Sequence, residues 1–389
     1  MKKVVLAYSG GLDTSCIIPW LKEKGYETIA FIADIAQGDD FAEIKKRALK
    51  SGAAKVICLD LQKEFVEEYV FPALKARALY EERYVMACAL SRPIIAKHQV
   101  LIAQHEKADG LVHGCTGKGN DQVRFETTYR MMVPQMEIIA PVRIWEFKTR
   151  EQEIDYLKSK GITIQVTKSK PYSIDTNVYG RAIECGILED PWIEPPEDIF
   201  ALTQNPLTAP QRPEYIEIEF AKGLPVKVNG KKYGSVDLIK KVNEIVGKHG
   251  IGRVDMIENR LVGIKSREVY ENPAGTVLHA ALQDLESLVL DRETMRFKQR
   301  ASQKYAEIIY TGLWFTPIKS QLDDYFTSIQ KNTSGVVRLK LYKGSCLAVG
   351  RKSKFSRYNQ LKATYGEKDI FDQKQAAGFN ALWAMPFMK

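Results

Sequence analysis

The chain has 389 residues, 45% of them hydrophobic and 27% charged, which is the make-up of a soluble globular protein long enough for two domains. Its formal net charge of +9 is compatible with nucleic acid, but the basic residues are dispersed, without runs or interleaved aromatics; small anionic substrates explain the balance equally well, as does a charge with no functional meaning, and no nucleic-acid partner is expected. No apolar run reaches the ~18 residues of a membrane span, and neither the six cysteines (16, 58, 88, 115, 185 and 346) nor the five histidines show metal-ligand or dithiol spacing, so a cytoplasmic protein with free, mostly buried thiols is expected.

Residues 2–9 (KKVVLAYS) form a short apolar run that predicts a buried first strand; the run is too short for a signal-peptide core and stops at Ser9-Gly10-Gly11. Helical spacing over 14–24 ends on Gly25, a strand is predicted at 28–34, a helix at 39–52 closed by Gly52, and a strand at 55–61. The stretch 63–83 predicts a helix broken near Pro72, and 92–110 an amphipathic helix with Pro93 near its start. A strand at 110–116 runs into glycine-rich polar sequence; a further strand (136–141) and helix (149–161) follow. Strands alternating with helices predict an α/β, doubly wound parallel sheet.

Composition shifts near residue 168, and the proline-, glycine- and charge-rich stretch 168–198 predicts a crossing segment between domains. Beyond it, 214–220 alternates strictly, Asn229-Gly230 marks a hairpin turn, helices are predicted at 236–247 and 276–312, and two strands fold about Lys343-Gly344. The expected organisation is a nucleotide-binding domain (1–167), an α+β synthetase and multimerisation domain (168–362) and a tail (363–389) whose apolar segment ALWAMPF docks on another subunit.

The stretch AYSGGLDTS (7–15) lies between the first strand and the first helix, where doubly wound sheets bind ligands. Gly10 and Gly11 let the backbone approach a ligand and turn its N–H groups inward. The helix N-terminus behind them favours an anion, and Ser9, Thr14 and Ser15 add hydroxyl donors. An ordinary turn capped by Asp13 or Thr14 has similar ingredients. The pattern S-G-G-x-D-[ST] straight after an N-terminal strand reads instead as a phosphate cradle. It lacks the lysine of a Walker A loop, and no G-x-G-x-x-G is present.

The loop resembles that of the N-type ATP pyrophosphatases, which cleave ATP between the α and β phosphates, adenylate a carbonyl oxygen and let a nitrogen or sulfur nucleophile displace AMP. The block HGCTGKGNDQVRFE (113–126), with KPYSID (170–175), GILEDPW (186–192), GRVDMIENRLVGIKSR (252–267) and VYE (269–271), resembles the argininosuccinate synthase family, and the likeness runs from residue 3 to about 350. A tRNA-modifying relative is disfavoured, since paired catalytic cysteines are missing.

The resemblance implies condensation of citrulline with aspartate, driven by ATP through a citrullyl-adenylate, with Mg2+ accompanying the nucleotide, in a homotetramer. It implies that ATP is held by Ala7, Tyr8, Ser9, Gly10, Gly11, Leu12, Asp13, Thr14 and Ser15, with Ala33 and Gly114 as further contacts. Thr116, Asn120 and Asp121 match aspartate-binding positions, and Tyr84, Ala89, Asn120, Arg124, Ser173, Ala182, Glu258 and Tyr270 citrulline-binding ones; Asp13, Asp121 and Arg124 are the expected catalytic residues. The departures concentrate in the citrulline pocket. YVMACALSRP (84–93) stands for the family's Y-L-x-G-T-S-L-A-R-P, so Ala89 replaces a hydroxyl, as does Ala182, and Glu268 stands where glycine is common. These changes raise the alternative of a different ureido substrate.

Overall fold

The computed structural model describes residues 1–162 and 172–389. In the first half β1 (Lys2–Ala7), α1 (Leu12–Glu23), β2 (Tyr26–Asp34), α2 (Phe41–Lys50) and β3 (Lys55–Asp60) alternate as the hydrophobic runs predict. Next, α3 (Gln62–Glu64) continues through a π-helical stretch, Phe65–Val70, into α4 (Phe71–Ala76). Then come α5 (Ala87–His105), β4 (Gly110–Val112), α6 (Asp121–Met132), β5 (Glu137–Ile139) and α7 (Arg150–Ser159). The five strands form one parallel sheet in the order β3-β2-β1-β4-β5. Connections leave β1 in both directions, so a crevice opens over the carboxyl ends of β1 and β4. Val4, Val5 and Leu6 are fully buried, as a central strand covered on both faces requires.

Two helical expectations are corrected. Pro72 does not break the helix: it sits in the first turn of α4, where a missing N–H costs little, and the helix ends at Ala76 because Arg77 turns left-handed (φ +51°). α5 begins at Ala87, well before Pro93, and is not amphipathic. Ala87–Ser91 are all buried, because this helix packs on β1 and α6 on one side and on the strands of the second half on the other.

The second half contains two antiparallel sheets. β6 (Ser173–Asn177) and β7 (Gly180–Glu184) join β11 (Arg253–Asn259) and β12 (Lys265–Glu271) in the order β11-β12-β7-β6. β8 (Glu214–Ala221), β9 (Leu224–Val228) and β10 (Lys231–Lys232) join β13 (Gly335–Tyr342) and β14 (Ser345–Lys352) in the order β10-β9-β8-β13-β14. Both expected hairpin turns form, with positive φ at Asn229-Gly230 and Lys343-Gly344. α8 (Ser235–Gly247) and α9 (Pro273–Val289) pack on their strands, α10 (Arg292–Tyr310) and α11 (Pro317–Ile329) pack on each other and on α4, and α12 (Gln360–Ala363) and α13 (Gln375–Ala384) lie in the tail. The single helix expected at 276–312 is two, because Asp291 caps α10 by accepting from Thr294 N at 2.9 Å. The stretch 168–198 is more than a crossing segment, since it supplies the β6–β7 hairpin; the expected boundary at 167/168 lies outside the described residues.

The hairpin ties the halves together: Val178 N donates to the Ile35 carbonyl (3.0 Å) and Asn177 Nδ2 to the Ala87 carbonyl (2.9 Å). All six cysteines are free, but only Cys16 and Cys88 are buried, fewer than expected. Among the described residues no helix is long and apolar enough to cross a membrane.

Candidate active site

The loop 8–14 is held open by its own polar groups. Gly10 has φ +77°, and a Cβ there would lie 3.0 Å from Ile44 of α2, so both its conformation and its surroundings demand glycine. Arg47 Nη1 donates to the Gly10 carbonyl at 2.5 Å, which fixes the turn from outside. Ser9 Oγ accepts from Gly11 N (3.3 Å) and shares a hydrogen bond with Thr14 Oγ1 (3.2 Å); Tyr8 Oη and Ser15 Oγ share another (3.0 Å). Gly11, not Asp13 or Thr14, caps α1, and it offers no side-chain oxygen, so the first-turn N–H groups remain available to an anion. Gly114, beyond β4, runs against this loop: a Cβ there would sit 3.2 Å from Thr14 and Ile17. Ala33 is half-buried at the end of β2, its carbonyl accepting from Gln37 Nε2 at 2.8 Å.

Behind Asp13 stands a carboxyl group that sequence reading did not single out. Glu153 of α7 is 9% exposed, and its Oε2 is buried with no hydrogen-bond partner. Burial, and then the adjacent Asp13 carboxylate, push its pKa up to about 8. Two neighbouring carboxyl groups, one with an orphaned buried oxygen, are hard oxygen donors of the kind Mg2+ takes. Among the described residues no group of three or more acidic, histidine or cysteine side chains is arranged to hold a metal by itself.

A cleft between the halves collects most of the other expected residues. It is lined by Tyr84, Asn120, Asp121 and Arg124 from the first half and by Ser173, Ala182, Glu258 and Tyr270 from the second. Ala89 is not among the lining residues; it is fully buried in the main hydrophobic core. Thr116 is exposed in the loop before α6, also outside the lining set. α6 opens at Asp121, one turn before Arg124, and Arg124 Nη1 donates to Asp121 Oδ1 at 2.8 Å. Arg92 grips the other oxygen of Asp121 (2.7 Å) and also Asp175 of β6. Burial opposes the charge on Asp121, but the two guanidiniums outweigh it and hold the carboxyl well below the usual range.

Tyr310 is the residue that organises the opposite wall. Its hydroxyl accepts from Asn120 Nδ2 (2.7 Å) and donates to Glu258 Oε1 (2.7 Å); Tyr270 donates to Glu258 Oε2 (2.8 Å). Burial raises the pKa of Glu258, and the two tyrosine hydroxyls partly counter that. Arg124 Nε donates to the Tyr310 carbonyl (3.0 Å), and Tyr84 stacks on Tyr270 with ring centroids 3.8 Å apart. Tyr310, Arg92, Asp175, Glu184, Arg260 and Glu268 were not among the expected site residues. Their signal is spatial: Tyr310 meets Asn120 across 190 positions of sequence.

Comparison with known proteins decides the family. Residues 3–163 match the family described as the arginosuccinate synthase N-terminal HUP domain, and residues 172–389 match the arginosuccinate synthase C-terminal domain. The chain belongs to the argininosuccinate synthase family. It is 54% identical over 386 residues to the argininosuccinate synthase of Carboxydothermus hydrogenoformans, spanning 99% of this chain and 96% of that one. The protein of the same name from Caldanaerobacter subterraneus subsp. tengcongensis is 54% identical over 385 residues (99% and 94%), and that from Aquifex aeolicus 52% over 387 (99% and 96%). These end-to-end likenesses give no support to the alternative of a different ureido substrate. Of the departures expected from the sequence, Glu268 lines the cleft as Ala182 does. It is 6% exposed, and burial followed by the neighbouring Glu184 raises its pKa.

Proposed function

We propose that this member of the argininosuccinate synthase family joins citrulline to aspartate, consuming ATP and releasing AMP and pyrophosphate. The observation that carries the reading is the match of both halves of the chain to both domains of the family. Residues 7–15 receive the phosphates through loop and helix N–H groups, with Ala33 and Gly114 on the nucleotide side. The ureido oxygen of citrulline attacks the α-phosphorus, pyrophosphate leaves, and the aspartate amine attacks the activated carbon of citrullyl-AMP. Mg2+ carried by the nucleotide would offset phosphate charge, and Asp13 with Glu153 would hold it.

The remaining work is placement. Asp121, kept ionised by Arg92 and Arg124, is an acceptor for an ammonium group; Arg124, Asn120 and Thr116 are donors for carboxylates. Tyr84, Ser173, Ala182, Glu258 and Tyr270 form the citrulline side of the cleft. Holding nucleophile and electrophile in line supplies ~7–11 kcal/mol of the barrier without a strong general base. A homotetramer is supported by the tail, where Phe379 and Trp383 are 60% and 65% exposed. The test is to incubate the purified protein with ATP, Mg2+ and aspartate, with and without citrulline. AMP, pyrophosphate and argininosuccinate in equal amounts, and only with citrulline, are expected; ATP cleavage indifferent to citrulline overturns the reading.

A further inference from the structure

The floor of the cleft is the sheet β11-β12-β7-β6, and its register explains an unusual charge arrangement. Tyr270 pairs with Ala182 and Val269 with Ile183, which sets Glu268 opposite Glu184 on the cleft face of two antiparallel strands. Like charges directly opposed across such a pair are destabilising. The sheet tolerates them because Arg260 reaches both, donating from Nη2 to Glu184 Oε2 (2.5 Å) and to Glu268 Oε1 (2.7 Å); Ser266 Oγ adds a longer bond to Glu268 (3.3 Å). One guanidinium can balance only one of the two carboxylates, so burial and the neighbouring Glu184 hold Glu268 protonated, and it has no counter-charge when it ionises. At the other wall Arg92 and Arg124 face Asp121 and Asp175, two against two. The neighbouring Glu258 is engaged by the hydroxyls of Tyr270 and Tyr310. The acid without a counter-charge therefore lies on the sheet floor of the cleft, where Arg260 Nη1 also reaches the Lys118 carbonyl (3.4 Å). Next to it, Ala182 supplies no hydroxyl.

We propose that Glu268, acting with Glu184, is a specificity-determining residue that receives the α-ammonium group of citrulline and rejects ureido compounds that lack it. This inference rests on the reading given under Proposed function and names the recognition element within it. Burial makes the paired carboxylates costly to ionise in the unliganded protein, and an incoming cation relieves that cost. A ureido acid without the ammonium leaves it in place.

The experiment compares citrulline with 5-ureidopentanoate, the same molecule without its α-amino group, by pyrophosphate release in the unsubstituted protein, Glu268→Gln and Glu184→Gln. Glutamine keeps the shape and an acceptor for Arg260 but removes the charge. The unsubstituted protein is expected to prefer citrulline strongly. Glu268→Gln should lower kcat/KM for citrulline about 10- to 100-fold, mainly through KM. It should leave 5-ureidopentanoate unchanged or improved, so that the preference collapses. A parallel fall for both compounds with the preference intact marks a merely structural role and overturns the inference. Glu184→Gln applies the same ratio test should Glu268→Gln fold poorly. Absence of citrulline-dependent turnover in the unsubstituted protein overturns the underlying reading itself, which is a separate result.

Discussion

At Tyr310 a single hydroxyl joins Asn120 of one wall of the cleft to Glu258 of the other. Tyr310→Phe keeps the ring and its packing but leaves both partners short of a bond in a buried place, a loss of about 1–3 kcal/mol. The citrulline KM is therefore expected to rise about 10-fold or more in steady-state kinetics, with the fold intact by circular dichroism. Glu153 makes a different prediction. With its pKa at about 8 in the folded chain and near 4.5 when unfolded, the folded state holds a proton that the unfolded chain has already lost. Stability thus falls as the pH rises from about 4.5 to about 8. Glu153→Gln removes that loss: its Tm should equal the parent's at pH 5 and exceed it by several degrees at pH 8.5 without nucleotide. A gap that ignores pH contradicts the account. The sequence named Asn120, Asp121, Arg124, Glu258 and Tyr270 because they sit in dense motifs. It could not name Tyr310, which belongs to an ordinary helix end, nor exclude Ala89, whose direction depends on where α5 begins.

Among the elements, the phosphate loop has the tightest requirements. Gly10→Ala places an L side chain at φ +77° and 3.0 Å from Ile44; Gly38→Ala meets the same backbone penalty (φ +80°) with nothing within 4 Å. Left-handed strain costs roughly 1–2 kcal/mol. Both variants should lose that much by urea denaturation, while only Gly10→Ala should also weaken ATP binding by calorimetry. The strands of the parallel sheet were legible because each is a short apolar run bounded by glycine or charge, fully buried at the centre in β1 and only half-buried at the edge in β3. The β6–β7 hairpin was not, since three of the five residues of β6 are exposed and the alternation that signals a half-buried strand is missing. α9 and α10 read as one helix because the break at Leu290-Asp291 is made by a cap and not by proline or glycine. α5 misled for a physical reason as well: a helix covered on two sides keeps no polar stripe.

The whole molecule is two halves joined through α5 and the β6–β7 hairpin, with a tail that buries none of its helical residues against its own chain. A chain ending at residue 359 should therefore melt within a few degrees of the full one. By light scattering it should lose the mass of four chains of 44.1 kDa that the full protein is expected to show. The hairpin's bonds to Ile35 and Ala87 have a further consequence. Reactants meet where the halves meet, and the turn of that hairpin, Val178 and Tyr179, is buried in a hydrophobic core that both halves share. On warming, the halves should therefore come apart in one cooperative transition, with activity lost at the same temperature as the fold and not several degrees earlier.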